Sequence, residues 1–272
     1  FPTRRSSDLL AMSRKLVDGS RLLVEGAARA GAEYYSGYPI TPANRIYFSA
    51  VNRIPSVLKA PDEITALQWA SGIAATGNLA MTGTSRPGFS LMVETLDMTF
   101  MMELPMLIAI AQRLGPSTGS ATTGAQGDLS MINRIISGGY NIPVLCPSNL
   151  RDCFWLAGES TRIAADLRTP VILLTSKEMI ETERSFDENE LPEIKKAKVK
   201  YFESGEEYLP YAAGDNNVPD FLPLGDDDHQ VRMIASTHDE KGILSRANPE
   251  AMANTERLDK KINEGMKEYS FY

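Results

Sequence analysis

The chain has 272 residues, 43% of them hydrophobic and 23% charged, with a formal net charge of −7. That balance suits a globular protein with one sizeable core and speaks against a nucleic-acid-binding surface; no apolar run approaches the roughly 20 residues of a membrane span. The two cysteines, Cys146 and Cys153, are too few for an iron–sulfur cluster or a structural zinc of their own, and they suit a reducing, cytoplasmic compartment.

In chain order, residues 1–11 begin FPTRRSSDLL, with neither an initiator Met nor an apolar signal core. They read as a non-native flank ahead of Met12. Residues 15–31 carry apolar side chains at helical spacing and close on Gly31, which predicts a helix. A strand is expected over 32–36, then a helix capped by Thr41 with Pro42 as its first residue. A strand over 56–59 and a helix over 63–77, rich in Ala and Gly, follow. Next come a strand over 79–84 and a helix opened by Pro87-Gly88 that runs to about Glu103. The continuous apolar run 105–111 predicts a buried central strand. A Gly/Ser/Thr-rich loop, 115–127, leads to a helix from Asp128 to about Ser137. A strand over 143–146, a helix over 149–167 and a buried strand over 170–175 complete the pattern.

Strands alternating with helices predict an α/β fold, a doubly wound, mostly parallel sheet flanked by helices. This domain is expected over residues 12–182. Composition shifts near 183, so 183–272 reads as a polar connecting extension, not a second core. It ends in an exposed polar helix over 249–269 and leads toward a C-terminal domain that is missing or truncated.

Four loops follow strands and precede helices, so they gather at the carboxyl edge of the sheet, where ligands bind in such folds. They are Tyr38-Pro39-Ile40-Thr41-Pro42, Asp62-Glu63, Thr84-Ser85-Arg86-Pro87-Gly88 and the loop from Gln112 through Arg113 to Gly119. One edge thus collects a hydroxyl, a carboxylate, a guanidinium and several glycines. Glu63 has a simple reading, because acidic residues favour the first turn of any helix. Its other reading is a partly buried carboxylate at a subunit cleft, exchanging a proton with a ligand nitrogen. Thr41 as a cap is compatible with anion binding at the same helix start. Arg113 is either a solvated strand end or, beside the backbone donors of Gly115, Ser117, Thr118 and Gly119, a fork for a carboxylate. The loop 115–127 is long for a strand-to-helix connection, which favours function.

Other features carry less. Asp226-Asp227-Asp228 sits in a charged linker and reads as solvated, so no metal is expected on this chain. His229 and His238 both lie in the polar C-terminal part, which excludes a histidine triad within the α/β core. Neither a P-loop nor a Rossmann glycine fingerprint occurs. A diphosphate cofactor would need its phosphate grip from elsewhere.

The segments GAEYYSGYPITPANRI, DEITALQWASGIAATGNLAMTGTS, PGFSLMVE, MELPMLIAIAQRLGPSTGSATTGAQGDL, SGGYNIPVLCPS, RTPVILLTSKE and STHDEKG resemble the α subunits of 2-oxoacid:ferredoxin oxidoreductases, of the 2-oxoglutarate or branched-chain type. The resemblance implies a pyrimidine-binding domain for thiamine diphosphate, shared with a β subunit. Glu63 would hydrogen-bond N1′ of the aminopyrimidine, favouring the tautomer that removes the thiazolium C2 proton. Tyr38, Pro39, Ser85 and Gly88 would line the cofactor. Thr41 and Arg113 would bind the 2-oxoacid, with Gly115, Ser117, Thr118 and Gly119 as the substrate loop. Magnesium and an iron–sulfur cluster would belong to the β subunit, coenzyme A would capture the acyl group, and ferredoxin would take the electrons.

The chain departs from that family at Arg86, where glycine is common, and at Pro61, where many relatives are acidic. The sequence also admits two alternatives: a subunit of a non-oxidative thiamine-dependent 2-oxoacid decarboxylase, and a non-catalytic structural subunit of such a complex.

Overall fold

The computed structural model describes residues 14–269 and 271; the flank assigned to 1–11 lies outside them. The elements run β1 (Arg14–Val17), α1 (Gly19–Ala30), β2 (Tyr34–Gly37), α2 (Asn44–Arg53), β3 (Ser56–Lys59), α3 (Glu63–Ala75), β4 (Ala80–Ser85) and α4 (Arg86–Met101). They continue with β5 (Met106–Gln112), α5 (Leu129–Ile132), β6 (Val144–Leu145), α6 (Leu150–Leu167), β7 (Pro170–Ser176), α7 (Lys177–Glu181), β8 (Arg184–Asp187) and α8 (Pro249–Gly265).

Six strands form one sheet in the order β3-β2-β4-β5-β7-β6, and every pairing in it is parallel. The chain first moves outward from β2 to β3, then crosses back to β4 on the other side of β2. That reversal opens a crevice at the carboxyl ends of β2 and β4, the place where doubly wound sheets bind ligands. The central strand β5 is buried along its whole length. Its Leu107, Ala109 and Ala111 join a core with Leu23, Tyr35, Ile46 and Phe154 under α1, α2 and α6. Its Met106, Ile108 and Ile110 join the opposite core with Leu67, Phe89 and Met92 under α3 and α4. Both faces of the strand are covered, which is why its sequence does not alternate.

Several expected elements differ. The segment 15–17 is not helical: β1 pairs antiparallel with β8, and Asp18 caps α1 by accepting from the Arg21 N–H at 3.0 Å. A strand partner more than 160 residues away leaves no mark on local periodicity. Thr41 is not an N-cap. A turn closed by the Asn44 N–H on the Ile40 carbonyl (2.7 Å) precedes α2, and the Thr41–Pro42 peptide is cis.

The helix expected from 128 to 137 is the single turn α5, because Arg134, Gly138 and Gly139 take positive φ and the Asp97 carboxylate accepts the Ser137 N–H. The extension is also less detached than its composition suggests. Tyr211 and Phe221 are buried, and Leu258 and Ile262 of α8 join the α3–α4 core. The amphipathic spacing of α8 serves that contact, so this helix is half-buried instead of exposed.

An ion cluster ties α8 to the domain. Lys261 Nζ lies 2.6 Å from Glu103 Oε2, both side chains fully buried, and Arg257 binds the same carboxylate. Asp226 Oδ1 accepts the His229 main-chain N–H at 2.8 Å and lies 3.1 Å from His229 Nδ1.

Candidate active site

Glu63 is the first residue of α3, immediately after the cap Asp62, whose side chain accepts the Thr65 N–H at 2.7 Å. Capping is therefore done by Asp62, which leaves Glu63 free of that task. Glu63 is only 8% exposed. It is folded over the start of α4, where a Cβ on Gly88 would sit 2.5 Å from Glu63 Cγ and 2.3 Å from Thr84 Oγ1. The absence of a side chain at 88 is what lets the carboxylate lie there. Among the described residues no hydrogen bond reaches the Glu63 carboxylate.

Arg113 stands one residue beyond β5 and is 6% exposed. Its Nη1 donates to the Thr41 carbonyl at 2.5 Å and its Nη2 to the Thr118 carbonyl at 2.8 Å. Its Nε is buried without a partner. Burial pulls the Arg113 pKa down, and the charges of Asp128 and Glu63 oppose that shift. One guanidinium thus links the loop after β2 to the loop after β5, within electrostatic reach of Glu63. The latter loop is closed, not diffuse: Ser120 N–H donates to the Leu114 carbonyl at 3.0 Å, and Leu114 N–H to the Thr123 carbonyl at 2.8 Å. Gly119, at φ 55°, makes the reversal, since a Cβ there would meet the Leu114 carbonyl at 1.6 Å.

Sequence reasoning missed Asp128. It is buried, and its Oδ1 lies 3.7 Å from Nε of Arg86. Arg86, where the family commonly has glycine, is committed to this pair. Burial pushes the Asp128 carboxyl up, and Arg86 and the main chain and charge of Arg113 work against the push. The only signal in the sequence was an acidic residue ending a glycine-rich loop, which also describes an ordinary helix start.

The edge therefore assembles Glu63, Gly88, the Thr41 carbonyl, Arg113, Thr118 and Asp128. Ser85 is buried beside them with its hydroxyl unpartnered. Pro39 is half-buried, while Tyr38, Gly115, Ser117 and Gly119 are exposed at the rim.

The residues fit the ring end of thiamine diphosphate. The side-chain hydroxyls of Ser36 and Ser85, Gln112 Oε1, Arg113 Nε and Asp128 Oδ2 are all buried without partners at the carboxyl ends of these strands. So many unmatched polar atoms at one edge call for a ligand that carries donors and acceptors. A free carboxylate over a glycine suits a flat, protonatable ring.

Fold and edge together define a doubly wound α/β ligand-binding domain, with a carboxylate and a guanidinium at its switch point. The family described as pyruvate flavodoxin/ferredoxin oxidoreductase, thiamine diphosphate-binding, matches residues 25–257, and the chain belongs to it. The 2-oxoglutarate synthase subunit KorA of Methanothermobacter thermautotrophicus is 32% identical over 238 residues, which cover 86% of this chain and 63% of that protein. The 2-oxoglutarate oxidoreductase subunit KorA of Mycobacterium tuberculosis is 38% identical over 207 residues, covering 72% of this chain and 31% of that protein. The 2-oxoglutarate:ferredoxin oxidoreductase of Magnetococcus marinus, solved with 2-oxoglutarate, coenzyme A and succinyl-CoA bound, superposes with a TM-score of 0.86 at 25% identity, over 96% of this chain and 46% of that one. The chain thus spans less than two thirds of the length of each.

Proposed function

We propose that this chain acts within the α subunit of a 2-oxoacid:ferredoxin oxidoreductase, in coenzyme A-dependent oxidative decarboxylation of a 2-oxoacid. The observation that carries the reading is the Glu63 carboxylate, buried over Gly88, with no hydrogen-bond partner among the described residues and within the field of Arg113. A carboxylate so placed can take and return a proton on a ligand nitrogen. Bound thiamine diphosphate would supply the carbon nucleophile and the electron sink for loss of carbon dioxide. Glu63 would hold the ring nitrogen. Tyr38, Pro39, Ser85 and Gly88 would wall that ring. Arg113 would turn its remaining N–H groups to the oxoacid carboxylate, with Thr41 beside the reacting carbonyl. The turn at Gly115, Ser117, Thr118 and Gly119 would close over the acid.

The reading gives the diphosphate, its magnesium and an iron–sulfur cluster to a β subunit, and ferredoxin and coenzyme A to the assembled complex in the cytoplasm. The donor chemistry of this chain supports that division. It has no phosphate-binding glycine motif, and its two free cysteines are split between surface and core. The outer face of α3 supports a partner. Ile64 and Trp69 are exposed there, Gly72 has open space around it, and Leu58 and Leu91 are exposed nearby. Among the described residues no helix is long and apolar enough to cross a membrane.

The test is to assemble the chain with its β partner and follow reduction of a viologen dye. Reduction that needs both a 2-oxoacid and coenzyme A is expected. Release of carbon dioxide without dye reduction would favour the non-oxidative decarboxylase instead.

A further inference from the structure

Gln112 closes β5, one residue before Arg113, and is 5% exposed. A polar side chain at a strand end normally meets water or a hydrogen-bonding partner within the protein. This one does neither: its Oε1 is buried and has no partner among the described residues. An acceptor so placed costs free energy for as long as it stays unmatched. A donor arriving from outside the chain would remove that cost.

The sheet register decides which side of the edge the carboxamide serves. Met106, Ile108 and Ile110 of β5 all enter the core under α3 and α4. Side chains alternate along a strand, so Gln112 is the next residue on that face toward the open edge. Thr84 of β4 pairs with Ile110 on the same face. A Cβ on Gly88 would collide with both Thr84 Oγ1 and Glu63 Oε1. Glu63, Thr84 and Gln112 therefore follow one another across one side of the sheet. Arg113 reaches to the other side, where it holds the Thr41 carbonyl ahead of Ala43 and Ile46 of the opposite core. The two neighbours thus divide the edge, with the carboxamide on the side of Glu63 and the guanidinium on the side of Thr41.

We infer that Gln112 binds the cofactor ring alongside Glu63: its carboxamide oxygen accepts a hydrogen bond from the exocyclic amino group of the pyrimidine. That amino group is the donor the ring still offers once Glu63 holds its nitrogen. The inference rests on the reading of this edge as the ring end of a thiamine diphosphate site.

Gln112→Met tests it, since methionine keeps the length and bulk and removes the amide. Calorimetric titration of the assembled complex with thiamine diphosphate is expected to give a Kd about tenfold higher in Gln112→Met than in the wild type. In the free chain the same variant is expected to melt at the wild-type temperature or above, because the buried oxygen has no partner there to lose. An analogue of thiamine diphosphate without the exocyclic amino group is expected to bind the wild type at least about tenfold more weakly than the cofactor itself. It is expected to bind the wild type and Gln112→Met alike, because each change removes the same contact.

An unchanged Kd in Gln112→Met would overturn the inference. So would a loss that the analogue shows in full, which would place the amide away from the amino group, or a lower melting temperature, which would give the amide to the fold. Should Gln112→Met not assemble, Gln112→Leu is read by the same criteria; failure of both assigns the residue to folding and also overturns the inference. A wild-type complex that binds no thiamine diphosphate would sink the proposed function, and the inference with it.

Discussion

The Arg113 guanidinium is hydrogen-bonded to the main-chain carbonyl of Thr41, 2.5 Å from Nη1. The second amino group of the same fork holds the Thr118 carbonyl. Two loops that the fold brings to one edge from different strands are thereby fixed by one planar group. Among the described residues no hydrogen bond engages the Thr41 hydroxyl; the contact uses the carbonyl alone.

Arg113→Lys should separate charge from geometry. Lysine keeps the charge but cannot span two carbonyls and a carboxylate in one plane. The expected result is a rise in oxoacid KM of about 10–100-fold, together with faster protease cleavage in the loop 115–127. Steady-state kinetics and limited proteolysis check both. An unchanged KM with intact loop protection would contradict the role assigned to the fork.

Gly88→Ala should displace the proposed catalytic carboxylate without touching it chemically. The new methyl group would fall 2.5 Å from Glu63 Cγ and 2.3 Å from Thr84 Oγ1. Overpacking of this kind costs about 1–3 kcal/mol. Thermal unfolding should show that loss, and activity in the complex should drop at least tenfold, by roughly the amount expected when a catalytic group is misplaced. Wild-type turnover in a folded Gly88→Ala protein would show that the close approach has no catalytic meaning.

Trp69→Glu addresses the outer face of α3. Trp69 is 42% exposed, so a charge there should leave the melting temperature of the isolated chain nearly unchanged. Co-purification with a β subunit should be lost. Retained assembly would place the partner elsewhere.

The cluster at Glu103 should make stability depend on acid. Burial alone would raise the Glu103 pKa, but the charges of Lys261 and Arg257 outweigh it and hold the carboxyl at about 2. The folded state then resists protonation that the unfolded chain accepts near pH 4.5. Stability from this group is complete above that pH and is lost as the pH falls toward 2. Melting curves from pH 6 to 2.5 should show the decline. Glu103→Gln should flatten that part of the curve and cost about 3–5 kcal/mol at neutral pH, because Lys261 loses its partner. An equal slope in both proteins would refute the assignment.

The parallel sheet was legible because its strands are short apolar runs between helical patterns, and 105–111 and 170–175 mark its buried centre in the composition itself. Glu63, Thr41 and Arg113 were legible as loop residues after those strands. What stayed hidden depends on distance along the chain. Residues 15–17 look like the start of α1 until β8 arrives to pair with them. Lys261 looks like part of a solvated helix until Glu103 is placed beneath it. Asp128 looks like a helix start because its ion-pair partner, Arg86, is brought to it by the fold. Polarity in residues 183–269 concealed a segment that contributes Phe221, Leu258 and Ile262 to the core.

The most direct measurement is turnover of Glu63→Gln in the complex with the β subunit. The substitution keeps shape and hydrogen bonding but removes the exchangeable charge. The account predicts that kcat for 2-oxoacid-dependent, coenzyme A-dependent dye reduction falls about 100-fold or more, with assembly and melting temperature as in the wild type. Turnover equal to that of the wild type in an assembled Glu63→Gln complex would contradict it.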